Sequence, residues 1–146
     1  MRTIVVGVDG SQSSGRALRW AVEEARLRGD NIRAVAVWSY QPVGFGDVFV
    51  PPLPVADQSD AVRLAVQEMI EGLGVSDVSI ELVVREGNPS TVLLESSSDA
   101  DLLVVGARGS GGFIGLLMGS VARHVSAHAV CPTVIVPVPS KNAHSS

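Results

Sequence analysis

The chain predicts a doubly wound α/β fold, with a five-stranded parallel sheet and helices on both faces. Two observations carry this. Apolar runs of strand length alternate with helical patterns along the 146 residues, the order that builds crossover units. Several of those runs are continuous and not alternating, as strands buried on both faces are.

Thr3 to Val8 is the first such run, closed by Asp9 and Gly10. Ser11 to Ser14 offer helix caps, and Ala17, Leu18, Ala21, Val22 and Ala25 follow at helical spacing until Gly29 stops the helix. Ile32 to Trp38 is the second strand. Residues 39 to 58 hold four prolines and no periodicity, which reads as a long loop. A helix from Ser59 to Leu73 is expected next.

Val78, Ile80, Leu82 and Val84 then alternate with polar residues, marking a half-exposed strand at the sheet edge. Asn88-Pro89 is a cap followed by a first-turn proline, opening a helix through Thr91 to Ser97. Leu102 to Val105 is a fourth, fully apolar strand. A helix from Ser120 to Ala129 and a last strand, Thr133 to Val138, complete one domain over residues 1–139. Residues 140–146, SKNAHSS, read as a polar tail.

Composition excludes several functions. The net charge is -4, and ten of the eleven basic residues are scattered arginines, so the footprint of a nucleic-acid binder is missing. No apolar run reaches the roughly 18 residues of a membrane span. One cysteine, Cys131, and no signal-peptide pattern suggest a cytoplasmic address.

The segment VVGARGSGGFIGLLMGSVARHV concentrates the chemistry. A P-loop would need a lysine after its second glycine, yet Lys141 in the tail is the one lysine of the chain. The dinucleotide pattern G-x-G-x-x-G, started at Gly109 and Gly111, meets Ile114 where its third glycine belongs. The spacing G-x2-G-x9-G-[ST] is met at Gly106, Gly109, Gly119 and Ser120. On this reading Gly106 lets a ligand approach the strand end, and Gly109 permits an anion nest. Gly119 and Ser120 open a helix whose free amides attract phosphate, Ser120 adding a hydroxyl or capping the helix. The competing reading is a glycine-rich turn with Ser120 as a plain cap. Arg108 suits either a phosphate or solvent. Asp9, at a strand's carboxyl end, suits two ribose hydroxyls or an Asx-turn.

VGVDGSQSSGRALRWA, REGNPSTVLLE, GARGSGGFIGLLMGSVARHVSAHA and CPTVIVPV together resemble the universal stress proteins of the ATP-binding kind. The resemblance implies strand order 3-2-1-4-5, ATP with Mg²⁺ across strands 1 and 4, and homodimers through Thr133–Val138. It implies Asp9 on the ribose with Gly7 clearing space, and Val37 near adenine. Gly106, Arg108, Gly109, Ser110, Gly112, Gly119, Ser120 and Val121 would hold ribose and phosphates. It makes the protein a nucleotide-dependent regulator in stress response. The alternatives are a slow ATPase or autophosphorylating protein and a dimerisation or chaperone-like module.

Other constellations are weaker. His124 and His128 stand at zinc-like spacing, but no carboxylate shares their helix, so no metal site is expected. Cys131, before a proline, reads as an inert buried thiol. Ser120, His124 and Asp9 lack a nucleophile elbow, and a phosphoacceptor Asp9 lacks its lysine. No catalytic residue is assigned.

Overall fold

The computed structural model describes residues 2–39, 43–45, 48–50, 55–108 and 118–139. In chain order the first elements are β1 (Thr3–Val8), α1 (Gln12–Arg28), β2 (Asn31–Trp38), β3 (Val43–Phe45), β4 (Val48–Val50) and α2 (Val55–Gly72). There follow β5 (Ile80–Glu86), α3 (Pro89–Ser96), β6 (Leu102–Gly106), α4 (Ser120–His128) and β7 (Thr133–Val136).

β1, β2, β5, β6 and β7 form one parallel sheet in the order β5-β2-β1-β6-β7. Counted along the five sheet strands, this is the expected 3-2-1-4-5. Side-chain alternation splits the core in two. Ile4, Val6, Val8, Ala34, Ala36 and Val104 face α1 and α2, meeting Ala17, Leu18, Ala21, Val22, Ala25 and Val66. Val5, Val35, Leu103 and Val105 face α3 and α4, meeting Val92, Leu93, Ala122 and Val125. Continuous apolar strands thus reflect burial on both faces.

Local signals set the helix ends. Ser11 caps α1 by accepting from the Ser14 amide, and Gly29, at φ +72°, ends it with an amide bond to Ala25. Asn88 caps α3 from the Thr91 amide, with proline in the first turn.

Four stretches differ from expectation by more than a single residue. The stretch read as a loop contains an antiparallel pair, Val43–Phe45 on Val48–Val50, and three-residue strands are too short to show a period. α2 begins at Val55 and not Ser59, since the prolines before Val55 do not interrupt a helix that starts after them. β5 runs from Ile80 to Glu86, because β2 extends to Trp38 and carries the ladder to Glu86. β7 ends at Val136, because the next acceptor along β6, the Ala107 carbonyl, takes the Gly119 amide instead. The tail at 140–146 lies outside the described residues.

Candidate functional site

From β1 the chain winds one way through β2 to β5, then returns to lay β6 and β7 on the opposite side of β1. The change of direction leaves a crevice at the carboxyl ends of β1 and β6, the place where doubly wound sheets take ligands. Asp9 and Gly106 stand at those two ends.

Asp9 is exposed. Its Oδ1 accepts from the Ser11 amide at 2.9 Å and from the Ser11 hydroxyl at 2.5 Å. The bond to the residue two ahead is an Asx-turn, with Gly10 at φ +83° inside it. The Asp9 amide in turn donates to Ser14 Oγ at 3.2 Å. The carboxylate is therefore oriented by the chain around it.

Two glycines at the strand ends make room for the protein's own packing. A Cβ on Gly106 would lie 2.7 Å from both the carbonyl carbon and oxygen of Ser13. The backbone that needs this bare position is the first turn of α1. A Cβ on Gly7 would lie 2.9 Å from Leu93 Cδ1 and 3.5 Å from Val105 Cγ1. The space on the Cβ side of Gly7 is filled by a leucine of α3.

The segment after β6 is tied on three sides. The Ala107 amide donates to the Val136 carbonyl, and the Gly119 amide donates to the Ala107 carbonyl. The Arg108 amide donates to Ser13 Oγ at 3.1 Å, and Ser13 is buried. The first turns of α1 and α4 thus abut one short stretch, Gly106 to Arg108. Sequence reasoning missed Ser13, reading it only as one of several capping serines. Its signal is topological: adjacent β1 and β6 force the turn after β1 against the end of β6.

The two helix ends are not alike. α1 is capped by its own Ser11. At α4 the cap position is Gly119, at φ −73° and ψ 170°, with no side-chain cap bond. Ser120 is the first helical residue and exposed, so it does not cap the helix as one reading had it. A glycine cap offers the first-turn amides no side-chain acceptor, and those donors suit an anion.

The remaining residues divide. Val121 is half-buried against the sheet face under α3 and α4, and Val37 packs on that same cluster from β2. Arg108 is exposed. Gly109, Ser110 and Gly112 lie outside the described residues. Cys131 is half-buried, and burial pushes its thiol up, with a hydrogen bond to Ser97 acting the other way. It remains a thiol at neutral pH, and an inert one. Among the described residues no group of three or more His, Cys, Asp or Glu could hold a metal ion, and no helix is long and apolar enough to cross a membrane.

Residues 1–137 match the family described as the Universal stress protein family. The chain belongs to the universal stress protein family. A universal stress protein of Mycolicibacterium smegmatis is 34% identical over 137 residues, covering 91% of this chain and 45% of the relative. The chain therefore spans about half the length of the curated relatives it matches. A universal stress protein from Archaeoglobus fulgidus in complex with dAMP superposes with a TM-score of 0.61 at 28% identity, covering 93% of this chain and 98% of that one. A universal stress protein in complex with cAMP gives a TM-score of 0.61 at 29% identity, covering 92% and 95%.

Proposed function

We propose that the crevice between β1 and β6 binds an adenine nucleotide, ATP in the working state, and that occupancy serves as a regulatory signal in the stress response. The observation that carries this is the amino end of α4. It opens at a glycine cap, is tied to the end of β6 through Ala107, and leaves first-turn amides for phosphate oxygens. The dAMP and cAMP complexes of related proteins support the choice of adenine nucleotides.

In this reading Gly119, Ser120 and Val121 present the amides. Gly109, Ser110 and Gly112 complete the phosphate loop, and Arg108 pairs with a phosphate. Asp9 accepts from a sugar hydroxyl, while Val37 and its neighbours offer an apolar wall near the base. Gly106 acts indirectly, by letting α1 close on the loop.

Mg²⁺ fits as an ion carried on the nucleotide. Such ions keep several waters and sit mainly on phosphate oxygens, so phosphate and water would hold it while Asp9 serves the sugar. When bound it would neutralise phosphate charge; the chain's own part is to orient sugar and phosphates. Occupancy, not turnover, is the output in this reading.

Assembly and location complete the proposal. β7 is an edge strand. The carbonyls of Pro132 and Val136 face β6, so the ladder's alternation turns the backbone groups of Thr133 and Ile135 outward. Pairing of two such edges would give a two-fold homodimer. The protein works in the cytoplasm, without nucleic-acid or membrane partners.

The test is direct. Purified chain is heat-denatured and its supernatant analysed by mass spectrometry, and refolded or nucleotide-free chain is titrated with ATP, ADP and AMP by calorimetry. Adenine nucleotide in the supernatant or saturable binding is expected. Absence of both at about 1 mM nucleotide, equivalent to about −4.1 kcal/mol, would overturn the reading.

A further inference from the structure

α4 carries a feature that the nucleotide site leaves unused. His124 and His128 are both exposed, with ring centroids 4.5 Å apart and planes tilted by 40°. A step of four residues places side chains one turn apart on one helix face. It is also the step of the two metal-binding histidines in H-E-x-x-H helices.

We propose that His124 and His128 form a bidentate site for a borderline transition-metal ion, Zn²⁺ foremost, with water filling the other coordination positions. Three features of α4 support it. Ala122 and Val125 are buried against the sheet, so the backbone bearing both rings is fixed, and the rings already lie close together. His128 ends the helix, where the last carbonyls and the negative end of the macrodipole favour a cation. No carboxylate lies on α4; with two imidazoles as the donors, the site prefers Zn²⁺, Cu²⁺ or Ni²⁺ to the oxygen-seeking Mg²⁺ and Ca²⁺. Arg123, exposed on the same helix, is the neighbouring cation that works against it.

The sequence between the histidines also limits the chemistry. In H-E-x-x-H the glutamate is the general base. Here that position is Val125, fully buried in the core, so the pair binds an ion without a base to activate water on it. With two protein ligands, and no third His, Cys, Asp or Glu grouped with them among the described residues, the ion is exchangeable. The site would fill and empty with the free metal level.

The test uses the full chain without a histidine tag, stripped with a chelator and titrated with ZnCl₂ by calorimetry. One ion per chain is expected, with the imidazole NMR signals of His124 and His128 both moving. His124→Gln and His128→Gln should each weaken binding by at least about tenfold, the lower end of what loss of even an outer-shell partner does. Both side chains are exposed, so the circular dichroism of the variants should match the parent. His144→Gln, in the tail, should leave binding unchanged. Absence of Zn²⁺ binding, undiminished binding in the double variant, or loss on His144→Gln would overturn the proposal.

Discussion

Replacing Gly106 by alanine tests whether its bare backbone serves the protein's own packing. Neither Gly106 nor Gly7 has positive φ, so alanine suits both backbones, and each substitution alone would add about 0.4–1 kcal/mol by restricting the unfolded chain. Contacts decide the sign. At Gly106 the new methyl would sit 2.7 Å from backbone atoms of Ser13, within the first turn of a helix whose other face is core. Such overpacking costs about 1–3 kcal/mol, and backbone cannot rotate away, so the upper end applies. The net loss is about 2 kcal/mol. For 146 residues the unfolding entropy at the midpoint is about 0.3 kcal/mol/K, so Gly106→Ala should melt about 7 °C lower. At Gly7 the methyl meets the flexible end of Leu93 at 2.9 Å, which can shift, and Gly7→Ala should melt within about 3 °C of the parent. Differential scanning calorimetry of the two variants measures both. A Gly106→Ala protein within about 2 °C of the parent, or a larger loss at Gly7, would refute the packing argument.

The other expectations concern binding and assembly. Gly119→Val, at φ −73° where any residue is at ease, should keep the melting point within a few degrees and abolish ATP binding in calorimetry; unchanged affinity would remove α4 from the site. Asp9→Asn keeps an oxygen for the Ser11 amide but loses the charge, so ATP and ADP should both weaken by about tenfold, the weight of one charged hydrogen bond. Loss confined to ATP would move Asp9 from the sugar to the phosphate-bound ion. Thr133→Pro removes an outward amide at the first residue of β7, where proline is tolerated; sedimentation should show a parent dimer at micromolar concentration and a weakened one in the variant. A parent monomer would end the edge-pairing proposal.

These tests also show where sequence was legible. β1, α1, β6 and the capped start of α3 announced themselves, because each depends on local periodicity or on a cap within a few residues. The doubly wound class followed from the alternation of elements, and the sheet's order from the family resemblance alone. The antiparallel pair Val43–Phe45 and Val48–Val50 was not legible, since three-residue strands carry no period. The site was legible by address and less so by role. Spacing led to Gly106, yet the atom it makes room for belongs to Ser13, ninety-three positions earlier. Gly7 similarly answers to Leu93 on α3. Close approaches of that kind are fixed by which strands become neighbours, and no local pattern records them.

The place of β1 in the sheet has a consequence for how the chain comes together. β1 is central, with β2 on one side and β6 on the other, and Ile4 pairs in register with Leu102. A ribosome delivers β1, β2 and β5 in succession, so half the sheet can zip up behind it, with α1 and α2 shielding one face. Counted from its own synthesis, the second edge of β1, at Ile4, Val5 and Val6, waits roughly a hundred residues for β6, several seconds at ordinary elongation rates of about 5–20 residues per second. During that interval an apolar strand with unpaired backbone is a template for any passing strand. The strand most deeply enclosed in the finished protein is the one longest at risk while it is being made.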